Sequence, residues 1–305
     1  MLDKEIIKKN FSKYAGYYDK YCLVQNHSAE VLISKIKRNR SAFSRRMNYS
    51  AGGKILDIGC GTGNYTRLLR EKFPDANIKA IDISYDMIEI AKNKLTRSVT
   101  LNLIQGLRNT ETMLKRVQHD TKDTFSTDTK TEFVVADAED EEFDEKFDMI
   151  TSNASFQWFL SLEKSLTKYK KLLGNNGVIL FSTFGPKTFY ELNASLKELF
   201  GRDTSLTSCG FIEKENLSEI LEGQFRNVFV EEEIFQEEHS SLLQLLNKIR
   251  YTGTRGDGIS ANSFWTPKKI KDLEKIYKKK FNNLTASYQI FYCQGQGSGR
   301  VSRPD

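Results

Sequence analysis

Short apolar runs alternate with amphipathic segments along most of this chain, and the alternation predicts its secondary structure. Five runs rich in Ile, Leu, Val and Phe have the length and composition of buried strands. They lie near residues 54–58, 78–82, 133–136, 147–152 and 177–184. Helical patterns separate these runs, which is the arrangement of a parallel sheet covered by helices on both faces. We therefore predict an α/β fold.

Two later apolar runs, near residues 227–235 and 286–293, bring the predicted sheet to seven strands. Helical patterns near residues 187–200, 214–222 and 241–250 follow the fifth strand. We expect these helices to form a lid above the carboxyl ends of the strands.

The rest of the chain predicts three further units. Residues 1–50 carry aromatic side chains at helical intervals and are predicted to form a helical cap. Residues 107–132 are rich in Thr, Asp and Lys, which predicts a poorly ordered insertion. The third strand is then either 100–105 or 132–136, and we favour the second because Asp137 follows it directly. The predicted units are a cap (1–50), a core (51–185), a lid with the last two strands (186–294) and a disordered tail (295–305).

The first predicted strand ends in a turn with three glycines at alternate positions. Asp57 lies within the strand, and Gly59, Gly61 and Gly63 follow it. Glycine adopts backbone conformations that other residues avoid, and it lets a ligand approach the main chain closely. Open α/β sheets bind ligands at this carboxyl end of their strands. The turn lacks the Lys-Ser/Thr pair of a phosphate-binding P-loop and the G-x-G-x-x-G spacing of dinucleotide sites.

A second acid, Asp82, ends the next predicted strand. An acid in this position can accept hydrogen bonds from both ribose hydroxyls of a nucleoside. Ser84 is a suitable N-cap for a helix over residues 85–95, which carries Met87 and Ile88 on one face. The glycine turn and the two acids together predict a site for a nucleoside cofactor.

Composition limits the class of protein. The 305 residues are 39% hydrophobic and 28% charged, which is typical of a globular chain. No run approaches the roughly 18 apolar residues of a membrane span, and the N-terminus lacks the apolar region of a secretory signal. The four cysteines have no C-x-x-C spacing, and the three histidines lie far apart. We therefore expect a cytoplasmic protein with reduced thiols and no metal site.

Much of the net charge of +6 lies in one predicted helix. Residues 268–280 contain seven lysines with apolar residues at helical spacing, after a helix start at Thr266-Pro267. The lysines form either the solvated face of an amphipathic helix or a docking face for an acidic protein. Basic residues elsewhere are interleaved with acids, which disfavours nucleic acid as a partner. The docking face would comprise Lys268, Lys269, Lys271, Lys275, Lys278 and Lys279.

The glycine turn, with Asp57 before it and Asp82 after it, resembles motif I of class I S-adenosylmethionine (SAM)-dependent methyltransferases. From about residue 5 to residue 293, apart from the insertion, the chain closely resembles the malonyl-acyl-carrier-protein O-methyltransferases of biotin synthesis. The segments that carry this resemblance are Phe11-Ser-Lys-Tyr-Ala-Gly-Tyr-Tyr-Asp19 with Gln25, Asn153-Ala-Ser-Phe-Gln-Trp158, Thr183-Phe-Gly-Pro186, Arg250-Tyr-Thr-Gly253 and Ser287-Tyr-Gln-Ile-Phe-Tyr-Cys293.

The resemblance implies a Rossmann-like fold with a mostly parallel, seven-stranded sheet and a helical lid. It implies SAM as the cofactor and an acyl carrier protein as the partner. The reaction implied is methylation of the free carboxylate of malonyl-acyl carrier protein, or malonyl-CoA, early in pimeloyl and biotin synthesis. Asp137 would meet the adenine amino group, and Asn153 would border the transferred methyl. The cofactor-binding residues implied are Gln25, Asp57, Gly59, Gly61, Gly63, Asp82, Ile83, Met87, Asp137, Ala138 and Asn153.

This reaction needs no general base, because a carboxylate with a pKa of about 4 is already ionised at neutral pH. It does need a cation to hold the carboxylate, and a guanidinium suits that purpose. Arg250 is the candidate, with Lys187 and Arg255 in reserve; the alternative role for Arg250 is to offset a helix dipole. Tyr18 and Trp158 complete the candidates for the substrate pocket.

Two other functions stay open on the sequence alone. The chain fits a methyltransferase for another small carboxylic acid or for a quinone precursor, which the lid between residues 183 and 280 would distinguish. It also fits an assembly factor of methyltransferase fold without methyl transfer, although the intact glycine turn and Asp82 argue against that.

Overall fold

Seven strands form one sheet in the computed structural model, which describes residues 3–38, 53–108, 130–201, 203–252 and 265–297. The strands are β1 (Lys54–Ile58), β2 (Asn77–Asp82), β3 (Thr131–Val135), β4 (Phe147–Asn153), β5 (Leu173–Phe184), β6 (Arg226–Glu238) and β7 (Thr285–Gln296). Their order across the sheet is β3-β2-β1-β4-β5-β7-β6. The first five strands run parallel, whereas β7 runs antiparallel to both of its neighbours. The predicted seven-stranded, mostly parallel sheet is confirmed.

Helices pack on this sheet as the alternating pattern predicts. They are α1 (Lys4–Tyr21), α2 (Leu23–Arg38), α3 (Asn64–Lys72), α4 (Tyr85–Arg108), α5 (Leu162–Leu172), α6 (Tyr190–Phe200), α7 (Lys214–Glu222), α8 (Leu242–Tyr251) and α9 (Pro267–Phe281). The Asp3 carboxylate caps α1 by accepting from the backbone N–H groups of Glu5 and Ile6. In the parts of the chain that the structure describes, no helix is long and apolar enough to cross a membrane.

The strands bury side chains in two hydrophobic layers, one on each face of the sheet. Ile55 of β1 shares one layer with Val178 of β5, whereas Leu56 shares the other with Ile179. This division follows from the strand geometry, because successive side chains point to opposite faces. The central strands are therefore buried on both faces, which explains why their sequences are continuously apolar.

The helix after β2 is longer than predicted. The sequence predicts a helix over residues 85–95, but α4 continues to Arg108. Apolar residues still recur at four-residue intervals through Val99 and Leu103, which is helical spacing. Residues 100–105 are therefore helical, and the third strand is β3, as favoured.

The units outside the sheet differ from the prediction at their edges. The first two residues of the predicted insertion (107–108) belong to α4, and its last two (131–132) belong to β3. Residues 109–129 lie outside the described part. The predicted cap contains α1 and α2, and residues 39–50 lie outside the described part.

The tail predicted from residue 295 begins too early, because Gly295 and Gln296 belong to β7. A Cβ atom on Gly295 would lie 2.6 Å from the Cβ of Phe225. Close packing against Phe225 explains the glycine at this strand position, which the sequence alone assigned to a disordered tail.

Candidate active site

The glycine turn after β1 has the left-handed backbone that its composition predicts. Gly59, Gly61 and Gly63 have φ angles of 67°, 55° and 80°. A Cβ atom on Gly59 would lie 2.1 Å from Ser155 Oγ, and one on Gly63 would lie 2.9 Å from Ala91 Cβ. A Cβ atom on Gly61 would meet no atom within 4 Å. Gly61 therefore leaves open space beside the turn, while the other two glycines allow close packing.

That open space belongs to a cavity of about 690 Å³ over the carboxyl ends of β1, β2 and β4. We call it the first cavity. Its walls include ten of the predicted site residues, namely Tyr18, Gly59, Gly61, Asp82, Ile83, Met87, Asp137, Ala138, Asn153 and Trp158. Helix α1 closes the top of this cavity with Lys4, Ile7, Phe11 and Tyr18, which share one helix face.

Asp82 joins β2 to the glycine turn. Its Oδ2 accepts from the Gly61 backbone N–H at 2.9 Å, and its Oδ1 accepts from the Ser84 backbone N–H at 2.8 Å. Burial raises the pKa of Asp82 to about 6, and the two backbone donors oppose the rise. Each carboxylate oxygen accepts one of these bonds and has capacity for a second, so the group can accept two more hydrogen bonds, as a ribose diol requires.

Lys4 contacts Asp137 across the opposite end of the cavity. Its Nζ lies 2.8 Å from Asp137 Oδ1 and 2.6 Å from Glu139 Oε2. The same ammonium lies 5.0 Å from the centroid of the Phe159 ring. The sequence alone does not predict this contact, because Lys4 lies 133 residues from Asp137 and belongs to no recognisable motif.

Glu139 fixes the loop that carries Asp137 and Ala138. It accepts from the backbone N–H groups of Leu160 and Ser161 at 2.8 and 2.9 Å. Burial raises the pKa of Glu139, but Lys4 and these two donors outweigh burial, so the pKa lies below its usual value. The loop after β3 is thus held in place before any ligand binds.

Asn153 ends β4 and ties it to α2. Its Nδ2 donates to the Gln25 carbonyl at 3.0 Å, and its Oδ1 accepts from Ser182 Oγ at 2.8 Å. Gln25 itself is buried and does not line the first cavity. Its Oε1 has no hydrogen-bond partner among the described residues.

Asp57 lies beneath the glycine turn and does not line the first cavity. Its side chain is fully buried, and its Oδ2 accepts from Thr66 Oγ1 at 2.6 Å. Burial raises the pKa of Asp57 to about 7, which Thr66 lowers and Asp82 raises further. Its Oδ1 has no partner within the described part of the chain. In this geometry Asp57 supports the turn from below, through the start of α3.

The first cavity fits a nucleoside that carries a sulfonium. Asp82 presents free acceptors for a diol, and the open space at Gly61 admits a ligand against the backbone. Phe11 and Trp158 stand edge to face at 6.0 Å and supply aromatic faces, which attract cations. These features match SAM, whose ribose, methionine and sulfonium need those three environments.

Trp158 also borders a second cavity, of about 440 Å³, at the carboxyl end of β5. The lining residues that the structure describes are all uncharged: Trp158, Phe184, Thr188, Phe189, Leu206, Thr207, Ser208, Phe211, Ile249 and Tyr288. The two cavities therefore share one aromatic wall.

The predicted carboxylate-binding cations do not line either cavity. Arg250 is exposed in the last turn of α8, where a basic side chain offsets the helix dipole, the alternative considered for it. Lys187 is also exposed, with its Nζ 4.0 Å from Glu232. Arg255 lies outside the described residues. Lys4 is the one cation among the described residues that line the first cavity.

Helix α9 is the amphipathic basic helix that the sequence predicts. Leu273 and Tyr277 are buried against the core. On the opposite side, Lys268, Lys271, Lys275 and Lys279 are exposed. Lys278 and Lys280 pair with Glu274 and Glu198 at 2.6 and 2.8 Å, and Lys269 lies 5.3 Å from the Phe200 ring centroid.

Comparison with known proteins supports this interpretation of the cavities. Residues 27–272 match a family described as "Methyltransferase domain". The YcgJ protein from Bacillus subtilis has the same fold, with a TM-score of 0.52 at 14% identity over 89% of this chain and 98% of that one. The fold is therefore the Rossmann-like class I methyltransferase fold, and SAM is the cofactor of this enzyme class.

Curated relatives narrow the family further. Malonyl-[acyl-carrier protein] O-methyltransferase 2 of Ilyobacter polytropus is 32% identical over 296 residues, which are 97% of this chain and 93% of the relative. The Priestia megaterium enzyme of the same name is 36% identical over 73% of this chain and 68% of the relative. A Bacillus anthracis relative is 29% identical over 98% of this chain and 100% of its own length. Because relatives of this one name match most of the chain, at up to 36% identity, this chain belongs to the malonyl-[acyl-carrier protein] O-methyltransferase family of SAM-dependent methyltransferases.

Proposed function

We propose that this chain transfers the methyl group of SAM to the free carboxylate of a malonyl group carried on an acyl carrier protein. Besides family membership, one structural observation supports this proposal. The cofactor cavity and the second cavity, whose described lining residues are uncharged, share Trp158 as a wall. This arrangement gives the donor and the acceptor adjacent sites with a common wall. The product, a neutral methyl ester, would enter chain extension toward pimelate and biotin.

The residues proposed to bind the cofactor have distinct tasks. Asp82 orients the ribose through its two oxygens, and Asp137, with its partner Lys4, meets the adenine amino group. The turn at Gly61 admits the methionine portion. Gln25 and Asp57 act indirectly, because the Gln25 carbonyl holds Asn153 and Asp57 holds the start of α3 through Thr66. The remaining cofactor contacts proposed are Gly59, Gly63, Ile83, Met87, Ala138 and Asn153.

The chain provides alignment and exclusion of water for the reaction, and bound SAM supplies the electrophilic methyl group. The malonyl carboxylate attacks without a general base, because it is ionised at neutral pH. No histidine is among the described residues that line either cavity. Tyr18 and Trp158 restrict the approach from two sides, so the acceptor is held in line with the methyl group in a dry site.

The carrier protein is proposed to dock on the exposed lysines of α9. Four of them, Lys268, Lys271, Lys275 and Lys279, stand clear of the salt bridges that occupy Lys278 and Lys280. Helix α9 packs on α8, which contacts the α1 cap through Tyr251. An acidic partner on this face would therefore lie next to the helices that close the site.

Transfer of label from radioactive SAM to malonyl-acyl carrier protein tests the proposal. Malonyl-CoA and acetyl-acyl carrier protein serve as controls for carrier recognition and for the need of a free carboxylate. A base-labile labelled product on the malonyl carrier, and none on the acetyl carrier, is the expected result. Absence of transfer from a protein that binds SAM, as measured by calorimetry, contradicts it and favours another acceptor or a role without methylation.

A further inference from the structure

One residue in the wall of the second cavity carries a buried hydroxyl that has no partner among the described residues. Tyr288 lines this cavity and is 3% exposed. Its ring packs on Phe189 at 4.8 Å and on Phe184 at 6.1 Å between centroids. Its hydroxyl has no hydrogen-bond partner among the described residues. A buried hydroxyl without a hydrogen-bond partner lowers the stability of the fold, so its presence calls for an explanation.

Neighbouring hydroxyl groups, by contrast, are bonded within the protein. Tyr292, four residues along the same strand, donates to Glu233 Oε2 at 2.8 Å. In the cavity wall, Ser208 Oγ donates to the Thr188 carbonyl at 2.7 Å, and Thr188 Oγ1 donates to the Gln289 carbonyl at 3.3 Å. Burial raises the pKa of Tyr288, so its hydroxyl stays protonated and can donate.

The charges around the two cavities determine which part of an acyl substrate enters each. Every described residue that lines the second cavity is uncharged, and an ionised carboxylate is costly to bury there. The carboxylate must also reach the methyl group in the first cavity, on the other side of Trp158. The neutral part of the substrate therefore occupies the second cavity, with its carbonyl as the strongest available acceptor.

We infer that the second cavity is the acyl-thioester subsite and that the Tyr288 hydroxyl donates a hydrogen bond to the thioester carbonyl of the acceptor. This inference rests on the proposed function and assigns the acceptor's orientation within it. The hydroxyl would hold the carbonyl while the carboxylate faces the methyl group across the Trp158 wall. A group left unpaired in the empty protein is then satisfied by the substrate.

The substitution Tyr288→Phe tests this inference, because it removes one oxygen that has no partner in the protein. We expect kcat/KM for malonyl-acyl carrier protein to fall about three- to tenfold, the size of one hydrogen bond. SAM affinity should stay unchanged, and the melting temperature should be equal or higher, since an unpaired buried hydroxyl is lost. The matched variant Tyr292→Phe should behave in the opposite way, with a lower melting temperature and wild-type kinetics.

A substrate analogue separates a direct hydrogen bond from an indirect packing effect. The carrier is loaded with a 2-carboxyethyl thioether, in which a methylene replaces the thioester carbonyl. We expect kcat/KM of the wild type to be lower on this analogue than on malonyl carrier by about the same factor as the substitution causes. Tyr288→Phe and the wild type should then have equal kcat/KM on the analogue, because both changes remove the same hydrogen bond.

Three results would overturn the inference. The hydrogen bond is excluded if Tyr288→Phe lowers kcat/KM on the analogue by the same factor as on malonyl carrier. It is also excluded if the kinetics of this variant on malonyl carrier are unchanged. Either result leaves the proposed function intact. A wild type that binds SAM but does not methylate malonyl carrier would overturn the proposed function and this inference together.

Discussion

Lys4 Nζ lies 2.8 Å from Asp137 Oδ1 and joins the first helix of the chain to the loop after β3. At the other end of α1, Asp19 Oδ1 accepts from Thr62 Oγ1 of the glycine turn at 2.6 Å. The cap is thus bonded to the rim of the cofactor cavity at both ends. Its apolar face, with Ile7 and Phe11, lies between these two bonds.

Replacement of Lys4 by methionine should weaken SAM binding. The variant keeps the aliphatic stem but loses a partly buried ion pair, so α1 closes less often and the cavity loses its upper wall. We expect the Kd for SAM to rise about three- to tenfold, from about 1 kcal/mol for such a pair. Calorimetric titration measures this change. Lys9→Met, on the exposed side of α1, is the control, and equal affinities in the two variants would argue against the bridge.

Alanine at two glycines of the turn should separate folding from binding. Gly59→Ala places a Cβ atom 2.1 Å from Ser155 Oγ, so we expect a marked fall in melting temperature. Gly61→Ala meets no protein atom within 4 Å and carries only the backbone strain of a positive φ, about 1 kcal/mol. It fills ligand space instead, so SAM affinity should fall at least tenfold with a small change in melting temperature. If Gly61→Ala binds SAM with wild-type affinity, the methionine portion of SAM does not bind at this turn.

SAM affinity should depend on pH through Asp82. Burial raises the pKa of this carboxyl to about 6 in the cofactor-free protein, and only the ionised form can accept both hydroxyls of the ribose. The affinity should therefore be constant above about pH 7 and fall as the pH decreases through 6. Calorimetry between pH 5 and pH 8 measures this profile.

The isosteric variant Asp82→Asn is the control for that profile. It should bind SAM at least about tenfold more weakly at pH 7.5, since charge-assisted hydrogen bonds contribute about 1.5–3 kcal/mol each. Its affinity should also lose most of the dependence near pH 6. A variant with an unaltered pH profile would show that another group, such as Asp57, titrates instead.

Charge reversal on α9 should affect the carrier-bound substrate alone. The double variant Lys271→Glu/Lys275→Glu changes exposed side chains, so its melting temperature should stay near that of the wild type. We expect KM for malonyl-acyl carrier protein to rise at least about fivefold at low salt, and less at high salt because of screening. KM for malonyl-CoA should not change. Lys171→Glu, at the C-terminal end of α5, is the control, and equal effects in both variants would argue against docking on α9.

Features encoded locally were predictable from the sequence. The glycine turn, Asp57 and Asp82 lie in or next to strands that are clearly marked by apolar runs. Their place at the carboxyl ends of neighbouring strands therefore predicts the position of the cofactor cavity. The end of α4 was missed because the residues beyond Leu95 are as apolar and β-branched as a strand, and only their spacing distinguishes the two.

Features that depend on distant packing were not predictable. Lys4 meets Asp137 only because α1 crosses the carboxyl ends of the strands. The chemistry and the motif of Arg250 predict a carboxylate-binding residue, but the register of α8 exposes its side chain and buries Lys248 instead. The sequence does not predict that the Tyr288 hydroxyl is unpaired. That property depends on which residues of distant segments pack around it in the fold.

The position of β7 has a consequence for how the protein is made. This strand pairs with β5 on one side and with β6 on the other, although it follows both in the chain. During synthesis β6 therefore emerges before β7, the strand with which it pairs, and β5 presents an open edge until residues 285–296 arrive. The cofactor half of the sheet needs only strands that are already present. The nascent enzyme can thus assemble its SAM cavity first, while the second cavity, with Tyr288 on β7, is completed only after that strand has emerged.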